Sequence, residues 1–209
     1  MECTGMTKVG AQRKSRIRVV WASIGISAMP VQASAHLVNT GLGPIYDGAA
    51  HFAISPEAIL PIVALGIFAG LRGLTHARAS VLILPVAWVA FGLVGMLFGP
   101  LAINRAFESL PLLILGGLAA ADVRMPAWAT GSLALLLGAF EGYNFGSAYS
   151  AARDGFPALT GSTGLVFALI AFVSAAVLKA KWDWTRIAMR VVGSWTAASG
   201  MLLLGWGLR

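Results

Sequence analysis

The sequence predicts an all-α fold: a polytopic membrane helix bundle of about six transmembrane helices behind a cleavable signal peptide. Three observations predict it. Of the 209 residues, 58% are hydrophobic and only 11% are charged, whereas about a quarter of the residues in a soluble domain carry charge. Apolar runs close to the ~20 residues that cross a bilayer recur along the chain. The basic residues lie in the gaps between these runs and form no patch interleaved with stacking aromatics. The net charge of +7 therefore reads as a topology signal, and a nucleic-acid partner is not expected.

At the amino end, Lys8, Arg13, Lys14, Arg16 and Arg18 precede a short apolar run over 19–31, which closes on Gln32-Ala33-Ser34-Ala35. This is the order of a signal peptide: a basic region, an apolar region and a small-residue cleavage site. The expected organisation is a signal peptide over 1–35 and a membrane helix-bundle domain over 36–209; the alternative is an uncleaved first helix. Cys3, the single cysteine, falls in the removed segment, so neither a disulfide framework nor thiolate chemistry is expected. Cleavage after Ala35 would place His36 at the mature terminus. There its α-amine and Nδ1 can chelate one metal ion, although an exposed terminal histidine without that role fits equally.

A mixed polar and apolar stretch over 37–52 leads into apolar segments at about 54–71, 80–98, 108–121, 127–145, 162–178 and 187–207. Charge, Pro or Gly punctuates each. The third is short and carries Glu108 and Pro111, which suits a span that is tilted or lies partly inside the protein. With the amino terminus outside, Arg72, Arg78, Arg124, Lys179, Lys181, Arg186 and Arg190 fall on the cytoplasmic side, and only Arg105, Arg153 and Arg209 fall outside. That distribution obeys the positive-inside rule, and Trp128, Trp182, Trp184 and Trp206 stand near span ends, where amphipathic rings favour the headgroup layer. The expected location is the bacterial inner (cytoplasmic) membrane, with a periplasmic mature amino terminus.

Glycines recur at a spacing of four: Gly66 and Gly70, Gly95 and Gly99, then Gly138, Gly142 and Gly146. Small residues on one helical stripe let backbones approach in lipid, so these stripes predict a compact bundle, and they also suit partner helices or a homo-oligomer. Ionisable residues inside a bilayer are functional candidates. Asp47, Glu57, Glu108 and Glu141 converge on the outer half of the bundle with His36 and His51, and Glu57 and Glu141 are expected to lie deepest. Glu141 shares a helical face with Gly138, Gly142 and Phe145, which turns it inward. Imidazole and carboxylate suit divalent first-row metals. The plainer readings stand beside this one: Asp47 as a cap, Glu108 as a solvated interface residue, His51 as a polar residue at headgroup level. No nucleophile elbow, zinc-binding H-E-x-x-H or phosphate loop occurs, so an enzyme is not expected. His76 lies in a cationic gap and reads as a topology or solvation residue.

The run from Asn39 to Phe52, reading NTGLGPIYDGAAHF, and the following Ser55-Pro56-Glu57 resemble the HupE/UreJ family of hydrogenase and urease accessory membrane proteins. The family's first-helix motif is aromatic-x-x-Gly-x-x-His-Pro followed by Gly-x-Asp-His. This chain departs from it with His51-Phe52 and Glu57-Ala58. Where the family's fourth span shows His-Gly-His-Ala-His-Gly, this chain reads Glu141-Gly142-Tyr143-Asn144-Phe145-Gly146. The resemblance implies a metal permease without an ATP motif, transporting nickel, or cobalt or copper, as substrate, with no permanently bound cofactor. His36, Asp47 and His51 would capture the ion, Glu57 and Glu141 would replace part of its hydration shell, and Glu108 would assist. Replacing imidazoles by oxygen ligands weakens the match to nickel. The alternative is a non-transporting accessory or scaffold for metalloenzyme maturation.

Overall fold

A computed structural model of the protein describes residues 39–101, 105–180 and 183–208, with side chains described except at 105, 106 and 183. The expected signal peptide and His36 lie outside the described residues. The described chain is helical: α1 Pro44–Ala53, α2 Pro56–Arg72, α3 Leu74–Phe98, α4 Arg105–Glu108, α5 Leu110–Ala121, α6 Ala127–Ala148, α7 Gly155–Lys179 and α8 Asp183–Gly207.

All six expected apolar segments are helical. Several helices run past their apolar stretches, because α3 carries His76 and Arg78 in its opening turns and α6 continues through Ser147. Hydropathy marks the part of a helix that meets hydrocarbon, whereas the backbone ladder continues into the headgroup layer. The third segment divides at Ser109 into the single turn α4 and the helix α5, whose Pro111 stands in the first turn, where its missing N–H is harmless. The stretch before the first segment also holds a helix that the sequence reading did not anticipate. In α1, Pro44 opens the helix and its ten residues mix polar with apolar side chains. A bend of 74° separates α1 from α2. Ser55 stands at the N-cap position before Pro56 with a non-helical backbone, as a pre-proline residue should, and its hydroxyl donates back to the His51 carbonyl.

By length and composition, α3, α7 and Trp184–Gly207 of α8 can each cross a membrane, and the bent pair α1 and α2 qualifies together. Helix α5 is shorter, at 12 residues. Helix α6 is long enough at 22 residues but carries Glu141, Tyr143 and Asn144 in its second half. The outer surface is apolar: Leu97 is 81% exposed, and Leu82, Val86, Leu136, Phe172, Trp195 and Leu202 also face outward. A continuous apolar exterior of this kind belongs in lipid.

The six longer helices run between two chemically different ends. At one, Asp122, in the left-handed region at φ 53, is held by Arg72 of α2 and Arg186 of α8, whose Nε donates to Asp122 Oδ2 at 2.8 Å. His76 Nδ1 of α3 and Thr130 Oγ1 of α6 are hydrogen-bonded at 2.8 Å, and Arg190 Nε donates to the Ala120 carbonyl at 2.8 Å. Gly73, at φ 109, alone links α2 to α3 there, a conformation that glycine adopts without strain.

Backbone contact joins α3 to α6. A Cβ at Gly138 would stand 2.6 Å from the Leu84 carbonyl oxygen and one at Gly142 2.5 Å from that of Trp88, while one at Gly146 would collide with the carbonyl of Gly92. The expected stripe is therefore a contact face. Gly66 and Gly70 instead make room for the side chains of Val173 and Val177 of α7. Gly99, by contrast, caps α3 at φ 73 and contacts no helix face.

Two predictions follow from this packing. Gly146→Val drives a branched side chain into backbone that has no side chain to move aside, so it should lower stability by at least ~1–3 kcal/mol. Gly164→Ala, with nothing within 4 Å of the new atom, should be neutral or slightly stabilising; thermal unfolding in detergent checks both. Burial alone would raise the Asp122 carboxyl, but the Arg186 hydrogen bonds and the charges of Arg72 and Arg186 outweigh it and hold the group below the usual carboxylate range. Its stabilisation is then complete above the ordinary aspartate value near ~3.9 and is lost as pH falls through the lowered value. The unfolding temperature of Asp122→Asn should accordingly lie below wild type at neutral pH and approach it in strong acid.

Candidate functional site

The opposite end holds a cavity of about 320 Å³. Helix α1 supplies His51 and Phe52, the α1–α2 corner supplies Ser55 and Glu57, α3 supplies Trp88, α4 supplies Glu108, and α6 supplies Glu141, Asn144 and Phe145. Four of the six sequence-predicted residues thus line one space: His51, Glu57, Glu108 and Glu141.

Their depths differ from expectation. Glu141 is buried, at 7% exposure, between the glycines that bring α6 onto α3. Glu57 was expected deep, but it is exposed at the rim with Glu108. The reason is local: Ser55 and Pro56 begin α2 at the corner, so Glu57 occupies the first turn, where a carboxylate complements the exposed N–H groups. His51 is half-buried, edge-on to Phe145 and Tyr149 at centroid distances of 5.6 and 5.9 Å.

Asp47 is not in this cavity. Its Oδ1 accepts from the Thr40 amide at 2.6 Å and the Thr40 hydroxyl at 2.7 Å, tying the chain before α1 to that helix, and the residue lines a separate pocket of about 200 Å³ with Tyr149 and Asp154. The N-cap position of α1 is Gly43, so this contact fastens the preceding chain and does not cap the helix.

The charge of Glu57 acts on both His51 and Glu141, and Glu108 acts on Glu141 as well. Among the described residues, no hydrogen bond or ion pair engages the Glu141 carboxylate. A buried carboxylate that no described residue neutralises favours a cation or a proton. Among the described residues, however, no three His, Cys, Asp or Glu side chains stand close enough to hold a metal ion together.

Sequence reasoning missed the aromatic wall. Trp88 is 1% exposed, donates from Nε1 to Ser162 Oγ at 3.3 Å, and packs against Phe52 at 5.5 Å and Phe145 at 5.9 Å. Phe145 stacks on Tyr149 at 5.0 Å. Trp88 lies in the uniformly apolar part of α3 and gave no signal in the sequence, whereas Phe52 and Phe145 occupy motif positions at which this chain departs from the resembling family's pattern.

An apolar-surfaced helix bundle with an acid-rimmed cavity at one end and a basic opposite end defines an integral membrane protein with a polar site open to one side. The chain belongs to the HupE/UreJ family: the family model described as HupE / UreJ protein matches residues 24–203. Comparison with curated proteins and with solved structures gave no match. Membership implies a membrane accessory or metal-transport role in hydrogenase or urease systems. Of the three imidazole positions that the family string would occupy in α6, Glu141 and Phe145 face the cavity, while the Tyr143 hydroxyl donates to the Gly99 carbonyl at 2.8 Å and secures the end of α3.

The geometry predicts a graded accessibility. In a Cys3→Ser background, Glu57→Cys and Glu108→Cys should react quickly with a membrane-impermeant thiol reagent applied from the amino-terminal side. Glu141→Cys should react at least ~10-fold more slowly, because its position is buried.

Proposed function

We propose that the protein imports a divalent transition metal ion, nickel first, across the inner membrane from the periplasmic side. The single observation that supports this reading most is the shared cavity: three carboxylates and one imidazole from four different helices around one space, with Glu141 on its floor. Glu57 and Glu108 attract the ion at the rim, and His51 supplies an imidazole nitrogen. Glu141 replaces part of the hydration shell. A space of about 320 Å³ holds an ion with several waters at ~30 Å³ each, so the ion is taken up partly hydrated and three protein ligands need not converge on it beforehand. Asp47 stands outside this shell, because Thr40 already occupies one of its oxygens.

The driving force is electrical. Entry of a doubly charged ion gains ~4.6 kcal/mol per 100 mV, twice the ~2.3 kcal/mol per elementary charge. Cobalt and copper are the next candidates, and oxygen-rich lining favours the harder ions among the divalent metals.

Uptake of radiolabelled nickel into cells expressing wild type should be saturable, and the Glu57→Gln, Glu141→Gln double variant at matched membrane abundance should fall to the vector background. If wild type accumulates neither nickel, cobalt, copper nor zinc above that background, import is excluded and an accessory role in metalloenzyme assembly takes its place.

A further inference from the structure

The basic end holds a second cavity, of about 340 Å³, between the ends of α2, α7 and α8, with Arg72, Thr185 and Arg186 on its wall. We propose that it binds a phosphate-type oxyanion, supplied by the headgroup of an acidic phospholipid in the leaflet that surrounds the basic end.

Two guanidinium groups share one carboxylate here. Arg186 donates to Asp122 from Nε and Nη2, and Arg72 donates to the other oxygen from one Nη2, so the trio keeps one net positive charge. The Arg72 side chain is only 7% exposed and its guanidinium lies 5.3 Å from the centre of the Phe68 ring. Its Nε is buried without a hydrogen-bond partner. A guanidinium has five N–H donors in a planar fork, and leaving one of them buried and unused is unfavourable unless an acceptor arrives. A phosphate diester offers anionic oxygens that fit this fork. Thr185 adds a hydroxyl on the same wall, and α8 begins beside it, so the first N–H groups of that helix add partial positive charge.

The surroundings argue for a lipid source. Directly beyond the cavity, α8 turns Trp184, Ile187 and Val191 outward, at 62%, 66% and 48% exposure. That apolar stripe faces acyl chains, and Trp184 marks the interfacial level at which headgroups lie. A basic pocket between helices at this depth meets a headgroup before it meets bulk cytoplasm. This inference is independent of what the opposite cavity carries.

The test uses the purified full-length protein, with native mass spectrometry after exposure to phosphatidylglycerol or phosphatidylcholine. Wild type should retain one phosphatidylglycerol per chain with at least ~10-fold preference over phosphatidylcholine. Arg186→Gln should lose that preference and Arg186→Lys should keep part of it. Arg186 is 54% exposed on its side chain, so these variants should still fold. A parallel thermal shift with inorganic phosphate against chloride, at matched ionic strength, separates the sources. Stabilisation by phosphate alone, without lipid retention, would overturn the lipid assignment. Equal retention of both lipids, or phosphatidylglycerol retention unchanged in both Arg186→Gln and Arg72→Gln, would overturn the site.

Discussion

Helices α3 and α6 touch backbone to backbone because Gly138, Gly142 and Gly146 carry no side chains, and most of the polar architecture follows from that contact. In lipid there is no hydrophobic drive between helices, so close van der Waals approach along a small-residue stripe must hold the pair together. The same approach encloses Glu141. Its neighbours on the stripe bring the carbonyls of Leu84 and Trp88 against α6, leaving the carboxylate at the foot of a cavity that α1, α2 and α4 complete. A wider α3–α6 spacing would open that floor to lipid. Helix packing and site chemistry therefore rest on one sequence feature.

The chain is also polarised along its length. Carboxylates and a histidine gather around the cavity, while at the other end Arg72 and Arg186 meet Asp122, Arg190 donates to the Ala120 carbonyl and His76 bonds Thr130. The acidic end lowers the energy of an approaching cation, and the basic end engages headgroups of the opposite sign. Asp122 is the connection that makes the basic end rigid: one carboxylate joins α2 to α8 and closes α5 in a left-handed turn.

Much of this was legible in the sequence. The apolar runs marked every longer helix, and the shared helical face of Gly138, Gly142 and Phe145 turned Glu141 inward, where it is buried. What escaped has physical reasons. Helix α1 mixes polar and apolar residues because it lies against α7 at the end of the bundle, so no apolar run announces it. Glu57 sits on the rim because of a chain reversal at Ser55-Pro56, which hydropathy does not see. Asp47 resembles a ligand in composition but is engaged by a threonine seven residues earlier. Trp88 contributes through burial against partners far away in sequence, which no local pattern encodes.

The most direct test of the central claim, that the α3–α6 contact holds a metal-attracting carboxylate at the foot of a one-sided cavity, is nickel titration of the purified protein followed by X-ray absorption at the metal edge. The account predicts one ion per chain in an oxygen-dominated shell with a single imidazole, and loss of that ion in Glu141→Gln while its helical circular dichroism is unchanged. Saturable binding that is unaffected by Glu141→Gln, or no binding to the folded wild type, would contradict it.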